Sequence, residues 1–191
     1  MFSAVLDTSA LVPSLTRDIL LEVASCGVYR PVWSDLILAE LTVAVGGILD
    51  DKSAPASERD AYLKRLTAAM DSAFPDARVA VMPALIHAMD SPDPDDRHVI
   101  AAAVAGRADV IVTSDKSGFP QDRLPAPLLS QSPDVFLTYS IDLHPAAVSQ
   151  ALANVASRTG RHGPRRTVSD LVSMLEERNL TQFAAELRKR L

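Results

Sequence analysis

The chain has 191 residues, 48% of them apolar, which suits one globular domain with a small appendage. No apolar run approaches the roughly 20 residues that cross a membrane, and a single cysteine, Cys26, excludes an intramolecular disulfide and a cysteine-based zinc cluster. The net charge of −5 is weak evidence against a nucleic-acid partner, and the N-terminus does not resemble a signal peptide, so we expect a soluble cytoplasmic protein.

Strands and helices alternate in the first half of the predicted structure. In chain order, the pattern predicts a strand at 2–6, a helix at 9–24, a strand at 29–33, a helix at 34–47, a helix at 58–74 and a strand at 77–82. Ser34 is a good N-cap, and Gly46 and Gly47 are expected to end the helix that it begins. A polar loop is expected at 50–57.

The second half begins with a turn at 90–96, which is rich in Asp and Pro. An alanine-rich helix at 98–105 and a strand at 109–113 follow, and the wholly apolar centre of this strand is typical of a buried parallel strand. Beyond a proline-rich loop at 120–127, four short helices are expected to begin near Ser132, His144, Thr167 and Thr181.

These elements predict an α/β fold over residues 1–140 and a helical appendage over residues 141–191. The first part holds 11 Lys and Arg and 19 Asp and Glu, a net charge of −8, whereas the second holds 8 and 5, a net charge of +3. The appendage's basic residues either bind RNA backbone or form a flexible, solvated linker; they are Arg158, Arg161, Arg165 and Arg166. Its apolar residues pack either on the sheet domain or against a partner; they are Leu171, Leu175, Leu180, Phe183 and Leu187.

Four acidic residues occupy positions that favour a shared site. Asp7 and Asp115 each follow a predicted strand, and the carboxyl ends of parallel strands meet at one edge of a sheet. Glu40 interrupts an apolar helix, and Asp96 opens the alanine-rich helix. Taken singly, each could be an ordinary turn, cap or surface residue.

Carboxylates that converge repel one another, and a hard divalent cation relieves that repulsion. Ligation by oxygen alone indicates Mg²⁺, with Mn²⁺ as the alternative, rather than zinc. Such a site is suited to phosphodiester hydrolysis by an activated water, with either one or two metal ions.

The segments that contain the four acids, taken in chain order, resemble the PIN-domain family, in particular VapC-type toxins of toxin–antitoxin modules. The similarity covers about residues 3–140 and is carried by four stretches: 5–11, 33–41, 93–103 and 110–115. A looser similarity to the C-terminal extension of one PIN subgroup involves residues 167–171 and 183–184.

The resemblance implies a central parallel sheet flanked by helices, and Mg²⁺-dependent cleavage of single-stranded RNA. It also implies an antitoxin partner, either VapB-like or another DNA-binding antitoxin, and a tendency to form homodimers. The residues that it assigns to metal binding or to orienting water are Asp7, Glu40, Asp96 and Asp115. Thr8 and Thr113 match hydroxyls that support these ligands, and ordinary strand-end hydrogen bonding is an equal alternative for both.

The sequence departs from the family pattern at Gly118, where many relatives have an Asp before the Phe that is Phe119 here. The third acid is ambiguous, because Asp93, Asp95 and Asp96 are all available. Asp96 is the preferred third acid because it lies at the expected offset before the helix that follows, and Asp95 is the second choice.

Several neighbouring residues have competing interpretations. Arg97 could bind a substrate phosphate, and His98 is expected to be solvated or to cap its helix rather than to take part in chemistry. Trp33 and Cys26 are most simply core residues.

Three other functions are alternatives to a ribonuclease. A haloacid-dehalogenase-type phosphatase needs a second carboxylate two residues after the first, where this chain has Ser9, and a receiver domain needs an acidic pair at the end of the first strand. A non-catalytic PIN-fold module that binds RNA or protein would be favoured by loss of one of the four acids, and all four are present.

Overall fold

The computed structural model describes residues 1–160 and 163–190. Within these residues, five parallel strands form one sheet in the order β3-β2-β1-β4-β5. The strands are β1 (Ser3–Leu6), β2 (Arg30–Ser34), β3 (Arg78–Val79), β4 (Val110–Val112) and β5 (Leu129–Gln131). In the centre of the sheet Val5 of β1 pairs with Val32 of β2 and Ile111 of β4. The predicted α/β fold with a parallel sheet is confirmed.

The sheet is flanked by helices, several of which have the predicted caps. The helices are α1 (Thr8–Leu11), α2 (Ser14–Ser25), α3 (Asp35–Asp51), α4 (Ala56–Ala73), α5 (Pro83–Ala88), α6 (Arg97–Gly106), α7 (Pro133–Leu143), α8 (Pro145–Arg158), α9 (Val168–Glu176) and α10 (Thr181–Arg188). Ser34 and Ser132 accept hydrogen bonds at the N-termini of α3 and α7. Thr167 and Asp170 form the capping box of α9.

Three predictions about individual elements were wrong. Helix α3 continues through Gly46 and Gly47 to Asp51, and Gly46 lies against Leu63 of α4. This packing offsets the cost of about 1 kcal/mol that each glycine imposes inside a helix. The third strand is shorter than expected, because only Arg78 and Val79 pair with β2 before the chain enters the unpredicted α5. Strand β5 was also missed.

The C-terminal helices pack onto the rest of the chain. Helix α8 packs against α2, and α10 packs against α7, which itself contacts β5 and α2. The sequence left undecided whether five apolar residues of these helices pack on the sheet domain or on a partner. They are buried in the same hydrophobic core as the sheet; they are Leu171, Leu175, Leu180, Phe183 and Leu187. The predicted division at residue 140 lies inside α7 and stays a prediction. None of the helices in the described part is both long and apolar enough to span a bilayer.

The carboxyl edge of the sheet positions the predicted acids. The backbone N–H of Asp7 donates to the carbonyl of Val112 at 3.1 Å, so the chain after β1 stays beside β4. The N–H of Thr113 donates to the carbonyl of Gln131 at 3.0 Å, which holds the end of β4 beside β5. Asp7 and Thr113 therefore leave adjacent central strands at the same edge.

Candidate active site

Two hydroxyls hold the Asp7 carboxylate at the end of β1. Asp7 is 6% exposed, and its Oδ2 accepts hydrogen bonds from Ser9 Oγ at 2.5 Å and Thr113 Oγ1 at 2.8 Å. The same Thr113 oxygen accepts a hydrogen bond from the backbone N–H of Asp115 at 3.0 Å. Thr113 therefore connects the first acid to the fourth, although 108 positions separate them in sequence.

The turn after β4 fixes one oxygen of Asp115 and leaves the other free to face a neighbour. Asp115 Oδ1 accepts hydrogen bonds from Ser117 Oγ at 2.5 Å, Ser117 N at 2.9 Å and Gly118 N at 3.3 Å. The hydrogen bond from the Ser117 hydroxyl is the largest influence on the pKa of Asp115 and lowers it. Burial acts in the opposite direction, but the two backbone donors add to the lowering, so the pKa lies below its usual value. This carboxylate therefore stays ionised in the neutral range.

Asp96 reaches the cluster from the turn before α6. A methyl group at position 118 would lie only 2.1 Å from Asp96 Oδ2 and 3.4 Å from Asp115 Oδ2, so both carboxylates border the space above Gly118. Burial, followed by the negative charges of Asp7, Asp93 and Asp115, raises the pKa of Asp96 to about 6. Asp7, Asp93 and Asp115 therefore add to the effect of burial by placing negative charge near Asp96.

Glu40 lies to the side and is held by residues that adjoin the other acids. Its Oε2 accepts a hydrogen bond from Thr8 Oγ1 at 2.8 Å, and its Oε1 accepts one from His98 Nε2 at 2.7 Å. Burial acts to raise the pKa of Glu40, but the hydrogen bonds from His98 and Thr8 outweigh it, and the net pKa is lowered. Thr8 follows Asp7 directly and His98 lies two residues after Asp96, so Glu40 is linked to both through these neighbours.

The remaining acids of the third segment have other roles in this structure. Asp93 Oδ1 accepts a hydrogen bond from the backbone N–H of Asp95 at 2.9 Å and caps the short turn Pro94–Asp96, while Asp95 is exposed. Of the three candidates, Asp96 is the one whose carboxylate borders the space over Gly118. Arg97 is half-buried, and its Nε has no hydrogen-bond partner in the described part of the chain.

The donor chemistry of the cluster fits a hard cation, although the side chains are not yet arranged as a complete ligand set. Among residues 1–160 and 163–190, no group of three or more His, Cys, Asp or Glu side chains has the geometry of a preformed metal site. Mg²⁺ usually keeps several waters and takes only one or two carboxylates directly. Asp7, Asp96 and Asp115 supply oxygen alone, and a cation among them would offset the negative charges that, after burial, raise the pKa of Asp96.

Three residues near the acids have larger roles than the sequence indicated. His98, expected to be solvated or capping, is 6% exposed and bonds Glu40. Ser9 joins Asp7 to the chain just after the neighbouring strand β4, because its Oγ also accepts a hydrogen bond from the N–H of Ser114 at 2.9 Å. Ser117 fixes Asp115. Ser9 and Ser117 could have been found from the sequence, because each is a hydroxyl residue two positions after an acid that follows a strand.

Asp96→Asn is expected to stabilise the metal-free protein in a pH-dependent way. The pKa of Asp96 is about 6 in the folded chain, above its ordinary value of 3.8, so the folded state binds the proton more tightly and loses stability as pH rises between these values. Because Asp96 is partly exposed, we expect a gain of only about 1 kcal/mol at pH 7.5. Urea unfolding in EDTA at pH 4 and pH 7.5 measures it, and an equal effect at both pH values would contradict this origin.

Comparison with known proteins agrees with the fold. The PIN domain family matches residues 3–117, and the VapC50 C-terminal domain family matches residues 133–189. A protein of Mycobacterium tuberculosis (strain ATCC 25618 / H37Rv) named "Putative ribonuclease VapC50" is 38% identical over 93 residues, which cover 48% of this chain. The aligned region is 53% of that relative, so the match spans about half its length.

No solved structure matches the chain. The PIN domain match extends from β1 to Ser117 and includes all four predicted acids, Asp7, Glu40, Asp96 and Asp115. The second match begins at the first residue of α7 and extends just beyond α10. The chain therefore belongs to the PIN-domain family, and its C-terminal helices match the VapC50 C-terminal domain.

Proposed function

We propose that this protein is a divalent-metal-dependent endoribonuclease that hydrolyses RNA phosphodiester bonds at the cluster of Asp7, Asp96 and Asp115. The observation that carries the proposal is the shared space over Gly118, where two carboxylates meet and the pKa of Asp96 is raised to about 6. The name of the aligned relative, a ribonuclease, supports RNA as the substrate. Mg²⁺ is the proposed cofactor, and Mn²⁺ is expected to replace it.

The chain's own residues divide the work of the reaction. A bound cation supplies the positive charge that activates an attacking water and stabilises the leaving oxygen. Asp7, fixed by Ser9 and Thr113, and Asp115, fixed by the turn after β4, hold their oxygens in place before the cation arrives. Asp96, whose pKa of about 6 leaves it mostly ionised above neutral pH, would hold the cation as a carboxylate.

Glu40 and Arg97 complete the proposed site. Glu40 stays ionised because of its bonds from Thr8 and His98, and we assign it the orientation of the attacking water beside the three Asp residues. Arg97 adjoins Asp96 in sequence, and we assign it a contact with a phosphate next to the cleaved bond.

The function is tested with a labelled single-stranded RNA of mixed sequence, incubated with the full chain in Mg²⁺, in Mn²⁺ and in EDTA. We expect internal cleavage with either metal and none in EDTA, and no comparable cleavage of single-stranded DNA. A double variant, Asp7→Asn with Asp115→Asn, serves as the inactive control. Cleavage that persists in EDTA or in this variant would overturn the proposal.

We also propose that the protein is the toxin of a type II toxin–antitoxin module, with a DNA-binding antitoxin as partner and a homodimer as its assembly. The similarity to a VapC protein supports this role. Expression of the chain alone is expected to arrest growth, and co-expression of a small DNA-binding protein encoded beside it is expected to restore growth. Arrest by the Asp7→Asn variant to the same extent would contradict a toxin that acts through cleavage.

Thr113→Val is expected to weaken both the fold and the site. Thr113 is fully buried, and without its hydroxyl Asp7 loses a donor while the N–H of Asp115 loses its acceptor. We expect a loss of about 1–3 kcal/mol in unfolding free energy and about a 10-fold lower cleavage rate. Urea unfolding and RNA cleavage measure the two effects, with Thr67→Val in α4 as the control; unchanged cleavage would show that this hydroxyl does not position the acids.

A further inference from the structure

Two clefts connect the acidic cluster with the C-terminal helices. The first, of about 450 Å³, begins at Ser114, the residue before Asp115, and extends to Arg178 and Asn179. The second, of about 400 Å³, is lined by Arg178 together with Arg158 and Arg166. Arg178 lines both clefts, so they adjoin at this residue. We call the two adjoining clefts the arginine groove.

The charge of the groove is opposite to that of the acidic cluster. The second cleft has three arginines, and Asp18 is the sole carboxylate among the described residues that line it. Arg158 also pairs with Glu22 of α2 at 2.6 Å, so part of its charge is already balanced. In the first cleft, Asp134 is largely buried and accepts hydrogen bonds from the backbone N–H groups of Gln182 and Phe183 at 3.1 and 2.8 Å.

The arginines are held in place by specific local structure. Thr159 Oγ1 accepts a hydrogen bond from the backbone N–H of Arg166 at 2.8 Å, which closes the loop after α8 and brings Arg166 beside Arg158. Arg178 donates through Nη1 to the carbonyl of Met174 at 2.9 Å. The left-handed residue Asn179, with φ of 63°, then turns the chain into α10. The groove is therefore part of the folded C-terminal helices and not a charged tail.

We propose that the arginine groove binds the phosphates of single-stranded RNA that extends from the bond being cleaved, so that the C-terminal helices form part of the substrate site. This inference rests on the proposed ribonuclease function. Arginine is well suited to phosphate, which it binds with a rigid, bidentate donor pair. The first cleft begins beside Asp115, where the cleaved phosphate would sit. The arginines lie farther from the acids, in the second cleft or where the two clefts adjoin, so they can bind the following phosphates of the strand. Single strands are favoured because their flexible backbone can reach arginines that lie on separate elements.

The test compares two double variants of the full chain with the same change in charge. Arg166→Gln with Arg178→Gln alters the groove. Arg188→Gln with Arg190→Gln alters the end of α10 and the residue two positions beyond it; Arg188 pairs with Glu176, and Arg190 pairs with Glu186 and Asp142. Binding of a fluorescent 12-nucleotide single-stranded RNA is measured in EDTA at several salt concentrations. We expect the groove variant to bind about 10-fold more weakly at low salt, with its salt slope reduced by about 1.4, as two lost phosphate contacts predict. The control variant should bind like the unaltered protein.

A second measurement separates the groove from the chemistry. In Mg²⁺ we expect the groove variant to lose more of its cleavage rate on the 12-nucleotide RNA than on a trinucleotide, because the longer RNA contacts more of the groove. If the unaltered chain binds RNA through the groove but cleaves nothing, the proposed function fails and the groove stands. Equal RNA binding by both double variants would overturn the groove. So would a polyglutamate peptide that competes as well as RNA of the same charge, because that result would assign the groove to an acidic protein segment.

Discussion

Asp7→Asn is expected to lower the rate of metal-dependent RNA cleavage on the order of 10³-fold while the protein stays folded. Asp7 lies at the centre of the cluster, where its Oδ2 accepts two hydroxyl hydrogen bonds. An amide oxygen can accept the same two bonds, so the local structure survives, but the amide has no negative charge with which to hold a cation. Single-turnover cleavage at saturating Mg²⁺ measures the effect, and thermal unfolding in EDTA checks the fold.

The matched control for Asp7→Asn is Asp93→Asn, which removes one carboxylate from the exposed turn before Asp96. Asp93 caps that turn and raises the pKa of Asp96, but its carboxylate does not border the space over Gly118. We expect its cleavage rate to stay within about 10-fold of the unaltered protein. A loss equal to that of Asp7→Asn would assign the third ligand to Asp93 and contradict the assignment to Asp96.

Gly118→Ala is expected to lower cleavage about 100-fold and to weaken Mg²⁺ binding, with little loss of stability. The added methyl group would overlap Asp96 Oδ2, which lies 2.1 Å from its position, and would press on Asp115 Oδ2 at 3.4 Å. The Asp96 side chain can rotate away at small cost in free energy, but its carboxylate then leaves the space in which a cation would bind. Titration with Mg²⁺ and RNA cleavage measure the two effects.

Gly47→Ala is a suitable control for this substitution. Gly47 is inside α3, and a methyl group there would meet nothing within 4 Å. We expect unchanged cleavage and a gain of about 0.4–1 kcal/mol in unfolding free energy, because alanine is the better helix former. If Gly118→Ala cleaves RNA as fast as Gly47→Ala, then the position of the Asp96 carboxylate is not important for the reaction.

The general fold could be predicted because its signals are local. Apolar strands that alternate with capped helices identify the class, and Ser34, Ser132 and Thr167 mark helix starts that the structure confirms. Strand β5 could not be predicted in this way, because its three residues form a strand only through pairing with β4. Likewise, two adjacent glycines usually end a helix, and the packing of Gly46 on Leu63 that keeps α3 intact lies outside any sequence window.

The sequence indicated which acids approach one another, but it gave less information about the hydrogen bonds that hold them. Asp7 and Asp115 follow adjacent parallel strands, so their convergence at one edge could be expected from topology. Ser9 and Ser117 orient these acids from two residues away, but the bond from Thr113 to Asp7 joins residues far apart in sequence, and its geometry required coordinates. The sequence showed Gly118 only as a departure from the family pattern, where many relatives have an Asp. Its consequence, room for the Asp96 carboxylate, required coordinates.

The most direct test of the metal site is the anomalous scattering of Mn²⁺ in crystals of the full chain, grown near pH 7.5 with Mn²⁺ present. We predict a peak at the carboxyl edge of the sheet, bound directly or through one water by Asp7, Asp96 and Asp115, with the Asp96 carboxylate still over Gly118. A peak coordinated only by other acids, or an ordered Asp7 and Asp115 with no peak between them at saturating Mn²⁺, would contradict it.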